Sequence, residues 1–258
     1  MKKLFLSAMG LAAMVTSASA ADLAVRPYTK APPPVAVTAY NWSGFYIGLN
    51  GGGGSGHKCW TETNDVALGV GFRPEGCHDA TGGTVGGQIG YRWQATNWVF
   101  GVEGQGNWAN FSGSNTNLFP AFANIRDTSR IDALGMLTGS AGYAWNNALL
   151  YVKGGAAVVS DKYNTSFITT NVLVDQAKET RWGGVIGAGI EFGFAPNWSV
   201  GIEYDHMFLG TRDVTSTGVG NAGIPVGGFS ATDRISQSVD MGLVRLNYRW
   251  GAPVVAKY

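Results

Sequence analysis

Hydrophobic and polar side chains alternate along most of this chain. In 85–93, VGGQIGYRW, one face carries Val85, Ile89, Tyr91 and Trp93, and the other Gln88, Gly90 and Arg92. In 98–108, WVFGVEGQGNW, Trp98, Phe100, Val102 and Trp108 oppose Glu103, Gln105 and Asn107. The stretch 183–207, GGVIGAGIEFGFAPNWSVGIEYDHM, does this twice: Ile186, Ala188, Ile190 and Phe192 face away from Glu191, and Trp198, Val200, Ile202 and Tyr204 away from Glu203 and Asp205. A period of two held this long predicts strands, not helices. Eight are expected, near 42–53, 82–94, 98–108, 131–145, 148–160, 181–194, 198–209 and 237–250. Their connections alternate in length. Ala95-Thr96-Asn97, Asn146-Asn147 and Ala195-Pro196-Asn197 are tight, and Asn-Asn suits a hairpin that needs positive φ. Four others, near 54–81, 109–130, 161–180 and 210–236, are polar and read as long loops. Short turns at one end and long loops at the other are the pattern of transmembrane barrels.

Alternation alone also fits a soluble barrel, so the placement of aromatic and charged residues decides the solvent. Trp93, Trp98, Trp145, Trp198 and Trp250 sit at strand ends beside the short turns, with Trp108 and Trp182 towards the long loops. Trp98 and Trp108 share a face, ten residues apart. At roughly 3.3 Å per residue and a tilt of about 40°, that spacing covers about 25 Å, the height of the apolar band of an outer-membrane barrel. The apolar face therefore meets lipid, and the seven tryptophans form its aromatic girdle. Glu103, Glu191 and Glu203 then point into the barrel. Arg92, Lys153, Arg245 and Arg249 join them by the same parity in an internal polar network. A carboxylate in an apolar strand is tolerated when it meets such partners or water, and eight-stranded barrels have interiors that side chains fill. Glu191 is expected opposite Gly201, and Glu203 opposite Gly189.

Composition agrees with this reading. Only 14% of residues are charged, glycine is the commonest residue at 39 of 258, and there are nine Trp, ten Tyr and twelve Phe. No stretch after the first twenty residues is long and apolar enough for a transmembrane helix. The start reads as an export signal over 1–20: Lys2 and Lys3, an apolar core, and Ala18-Ser19-Ala20, with cleavage between Ala20 and Ala21. Without it the formal charge passes from +1 to −1, which leaves no basic excess for nucleic acid. Residues 21–40 hold a proline-rich segment read as a periplasmic tether, 41–251 the barrel, and 252–258 a tail.

Candidate chemistry is sparse. HKCW (57–60) and GCH (76–78) place two Cys and two His close together. A Cys₂His₂ metal site is one reading. In an exported protein the expected outcome is instead a Cys59–Cys77 disulfide with no metal. His57 and His78 are the weak candidates for haem, and no cofactor is expected. A hydrolase needs a base beside its nucleophile. His206, in EYDHMF, has no neighbouring Ser, and its parity places it on the outer face. No enzyme is expected.

The stretches ADLAVRPYTKAPP, YNWSGFYIGLNGG (40–52), GVEGQGNW (101–108), GAGIEFGFAPNWSVGIEY (187–204) and VRLNYRWG (244–251) together resemble the alphaproteobacterial outer-membrane immunogenic proteins, small opacity-type barrels. The resemblance spans the mature chain. It implies an eight-stranded outer-membrane barrel that supports the envelope and displays surface antigens, some members being credited with haem binding or pore activity. Thr138 and Ser140 stand where relatives commonly carry arginines. Either Trp250, ending the last strand, or Tyr258, ending the chain, could serve the barrel-assembly machinery.

The sequence thus predicts an all-β, eight-stranded antiparallel transmembrane barrel with a cleaved signal peptide. It would lie in the outer membrane of a Gram-negative bacterium, its long loops extracellular and both termini periplasmic. The expected partners are outer-membrane lipid and lipopolysaccharide and the assembly machinery, with peptidoglycan contact through the tether left open. The primary function is structural display at the surface. A small porin-like diffusion channel is the alternative, and a haem or adhesion receptor the further one.

Overall fold

The computed structural model describes residues 40–250. The signal peptide with Ala20 and Ala21, the tether up to residue 39, and the tail with Tyr258 lie outside them. Eight strands form one closed antiparallel barrel: β1 Gly44–Asp65, β2 Gly69–Ala95, β3 Trp98–Thr116, β4 Ile125–Trp145, β5 Ala148–Phe167, β6 Leu173–Ala195, β7 Trp198–Gly218 and β8 Phe229–Trp250. Each strand pairs with its sequence neighbour, and β1 closes on β8. Among the described residues the single helical turn is Pro120–Phe122, between β3 and β4.

At the turn end the strands stop within a residue or two of where the alternation stops. Thr96-Asn97, Asn146-Asn147 and Pro196-Asn197 are two-residue connections, with Thr96 and Asn146 at φ 58° and 52°. At the far end the expected loops are mostly strand. β1 and β2 run on through the 54–81 segment to a hairpin at 66–68, and the strands reach 19 to 27 residues. Crossing a bilayer takes about 9–11. The physical reason is that an apolar outer face marks lipid, whereas a barrel wall in water alternates with polar residues outside. Asn110, Ser112, Lys162, Lys178 and Thr180 accordingly face out beyond Trp108 and Trp182.

The outer face of the lower half is a continuous apolar belt. All seven girdle tryptophans are exposed on it, Trp108 the most at 75%. At the turn end, aromatic rings pack across strands, as in Trp98 on Tyr143 at 5.6 Å and Trp198 on Tyr248 at 5.0 Å. An apolar surface of this extent is stable only when lipid covers it.

The interior is filled in layers. Tyr40, Trp42, Val99, Ala144, Leu149 and Tyr151 close the turn end. Tyr40, expected in the tether, is thus a buried part of the barrel. Above a polar layer lies an apolar one, which includes Phe111, Ile131, Val159, Met207, Val239 and Met241. Seven strands supply its side chains, while β1 supplies glycines. A Cβ at Gly54 would meet the Phe111 ring at 2.8 Å, and one at Gly56 the Ile131 Cδ1 at 2.8 Å. A third group, Trp60, Tyr163, Ala177, Val214 and Ile235, packs nearer the far end.

Candidate functional site: the barrel interior

Alternation places every second side chain of a barrel strand inside, and one group of charged ones converges between the turn-end plug and the apolar layer. Glu103 (β3), Glu203 (β7), Lys153 (β5) and Arg245 (β8) meet at one point. The Arg245 guanidinium donates to both carboxylates, one nitrogen to Glu203 and the other to Glu103. The Lys153 ammonium lies 2.7 Å from Glu203, 3.2 Å from Asp205 and 3.7 Å from Glu103. Two tyrosines add donors: Tyr46 Oη to Glu103 and Tyr151 Oη to Glu203, each at 2.6 Å.

Beside this cluster Arg92 holds Glu191 with two bonds of 2.8 and 3.1 Å. Ser199 and Asn247 donate to the same carboxylate, Asn247 at 3.0 Å. The guanidinium lies over the Tyr46 ring at 4.4 Å, with Trp42 and Tyr151 at 5.7 and 5.8 Å. An arginine in this setting combines bidentate pairing with aromatic stacking, which a lysine cannot do. Neutral groups continue the network: Gln88 Nε2 donates to Asn247 and Asn50 Nδ2 to Gln88, both at 2.7 Å.

The structure therefore brings together Glu103, Glu191, Glu203, Arg92, Lys153 and Arg245. Arg249 is the correction. It reaches no carboxylate but donates to the backbone carbonyls of Ser43 and Pro196 at 2.9 and 3.1 Å. It sits four residues past Arg245, level with the last turn, where the nearest acceptors are backbone. The register is as expected, Glu191 opposite Gly201 and Glu203 opposite Gly189. The space over Gly189, however, is taken by the Tyr151 hydroxyl, 2.5 Å from where a Cβ would stand. Asp205 is a network member that parity already placed inside. Tyr46 and Tyr151 are members the sequence reading did not name, although Tyr151 shares the parity of Lys153.

Cys59 and Cys77 are directly opposed across β1 and β2 and joined by a disulfide. The two histidines beside them do not form one site. His57 points outward and bonds Asp79 at 2.7 Å, whereas His78 points inward, its nitrogens at 2.6 Å from Asn115 and 2.7 Å from Ser129. With the sheet between them, the pair cannot grip one haem. Burial holds the His78 imidazole below its usual pKa. His206 bonds Asp240 on the outer face at 2.6 Å.

Residues 8–230 match the outer membrane protein beta-barrel domain family. The 31 kDa outer-membrane immunogenic proteins of Brucella melitensis and Brucella suis are each 30% identical over 83% of this chain and 90% of their own length. Among solved structures, the chain is similar to the outer membrane protease OmpT from Escherichia coli, at 10% identity and TM-score 0.49, covering 80% of this chain and 97% of that one. It is also similar to the outer membrane protein OprG from Pseudomonas aeruginosa, at 11% identity and TM-score 0.47, over 83% and 99%. The two sequence matches carry the assignment: the chain belongs to the outer membrane protein beta-barrel domain family, within which it stands with the outer-membrane immunogenic proteins.

Proposed function

We propose that this protein is a closed anchor-and-display barrel. Its apolar belt holds it in the outer membrane, and its protruding strands and hairpin tips face outside the cell as a surface antigen, as the name of its Brucella relatives suggests. In this reading the signal peptide is cut after Ala20 and both ends of the mature chain lie in the periplasm. Lipid and lipopolysaccharide cover the belt, and Trp250 ends the strand that the assembly machinery reads.

The observation that carries the proposal is the filled lumen. A transport path would need a continuous polar opening along the axis. Here the charged layer is consumed by mutual pairing, and the apolar layer above it includes fully buried Phe111, Ile131 and Met207. Pairing on this scale serves cohesion.

No catalytic step is assigned. Ser129 does lie within hydrogen-bond reach of His78, with Asn115 on the other ring nitrogen. Ser129 is 0% exposed, however, so no substrate reaches its hydroxyl.

Two measurements test the proposal. Folded protein in a planar bilayer should be electrically silent, whereas discrete reproducible steps would make it a channel. An epitope inserted at 66–68 should be reached by antibody on intact cells and one at Thr96-Asn97 should not. The reverse would invert the orientation.

A further inference from the structure

At the far end of the barrel, carboxylates from five strands face inward on one cavity of about 430 Å³. They are Glu62 and Asp65 on β1, Glu75 on β2, Asp127 on β4, Asp175 on β6 and Asp233 on β8. All lie well past the girdle: Asp175 is seven residues beyond Trp182, and Glu75 ten beyond Val85, the partner of Trp108. This is a second charged centre, separated from the lower network by the apolar layer.

Unlike the lower network, it is not matched by cations. Arg73 reaches Glu62 at 2.5 Å and is, among the described residues, the one basic side chain bonded to any of the six. Ser230 donates to Asp175 at 2.7 Å and Asn117 to Glu75 at 2.6 Å. One oxygen each of Glu75, Asp127 and Asp233 is buried with no hydrogen-bond partner among the described residues, and these three residues are only 6%, 2% and 7% exposed. Burying an unpaired carboxylate is strongly unfavourable unless a proton or cation joins it. Burial and mutual repulsion accordingly push Glu75 and Asp233 up to about 9 and Asp127 up to about 8.

The spacing of the oxygens indicates what would join them. One oxygen each from Glu62, Glu75 and Asp233 lies within 4.8 Å of the other two. An ion bound at about 2.3–2.6 Å from each oxygen fits such a triangle, with flexible coordination and room for water. A set made only of oxygens selects a hard cation over zinc or copper. Phe122 and Phe167 line the same cavity, so a polyamine is the competitor that the experiment must separate from a metal ion.

We propose that Glu62, Glu75 and Asp233, with Asp127 beside them, form a divalent cation site of the calcium class that ties the protruding ends of β1, β2, β4 and β8 together. The sequence reading weighed a metal only at the Cys59 and Cys77 pair and passed over these acids, which lie up to 171 positions apart and meet only through the barrel's closure. The site does not depend on which way the barrel faces.

The test uses the whole folded chain, stripped with chelator and titrated with CaCl₂ by calorimetry. Thermal unfolding is read in parallel by gel mobility. The expected result is saturable binding near one ion per chain and an upward shift of the transition. In Glu75→Gln/Asp233→Asn the binding should vanish, while the metal-free transition rises above that of the parent because the repulsion is gone. Should that double variant not fold, Asp127→Asn replaces it, with an expected loss of Ca²⁺ affinity of at least about tenfold. Absence of both heat and shift up to roughly 10 mM Ca²⁺, above the range of the weakest extracellular sites, overturns the proposal. So does an undiminished Ca²⁺ response in the variants, or binding of spermidine without binding of Ca²⁺.

Discussion

Arg245 shows why the interior charges are best understood residue by residue. One guanidinium bridges Glu103 and Glu203, and both carboxylates are buried behind it. Removing the bridge leaves two buried charges facing each other with only Lys153 and two tyrosine hydroxyls between them. Arg245→Met should therefore cost about 3–5 kcal/mol, the range for breaking a buried pair from one side, measured as the shift in urea unfolding in vesicles. Arg245→Lys should recover only part, since an ammonium cannot bond both acids in one plane. A second prediction concerns Thr96, which holds φ 58° in its hairpin. That region is unfavourable for a β-branched residue and open to glycine. Thr96→Gly should raise the unfolding free energy by a few tenths to about 1 kcal/mol, and no change would mean that the turn relaxes the strain elsewhere. At this scale parity made the inner residues legible, but not their partners. Arg249 and Arg245 have the same parity, yet only one meets a carboxylate.

Strand ends divide by what lies outside them. Beside the short turns, lipid ends where the hairpin begins, so alternation of hydrophobicity and strand stop together. At the far end the wall leaves the lipid before it ends, and Lys162, Lys178 and Arg234 occupy outward positions that lower down hold Val152, Ile186 and Val244. Reading hydrophobic alternation therefore locates the membrane-embedded part of each strand and misses the rest. What remains is a period-two pattern of size and polarity, as in Lys58, Trp60 and Glu62 inside against His57, Cys59 and Thr61 outside. The disulfide belongs to this extension. Cys59 and Cys77 clamp β1 to β2 where lipid no longer supports the wall. Reduction, or Cys59→Ser with Cys77→Ser, should speed hydrogen exchange over residues 60–75 and leave 45–50 and 86–93 protected. Uniform acceleration would show instead that extension and embedded barrel open as one unit.

For the molecule as a whole, these two charged centres differ in how far their acids are paired, and so in their consequences. The lower one sets Arg92, Lys153 and Arg245 against Glu103, Glu191, Glu203 and Asp205, and holds the barrel shut. The upper one carries six acids against Arg73, so its folded form has a deficit that protons or a cation must fill. In the unfolded chain these carboxyls lose their protons near pH 4. In the folded chain Glu75, Asp127 and Asp233 keep theirs until about pH 8 to 9, and burial raises Glu62 and Asp175 as well. Between those limits the folded state binds more protons than the unfolded one, so its stability falls as pH rises. Stability from this centre is thus fully present below about pH 4 and lost as pH passes through 8 to 9. With chelator present, the unfolding temperature should decline steadily from pH 5 to pH 9. Saturating Ca²⁺ should flatten that decline, because the ion replaces the protons the site releases, and Glu75→Gln/Asp233→Asn should flatten it without any ion. A wild-type profile already level in chelator would mean that water reaches these carboxylates freely and that the far end is held by its strand pairing alone.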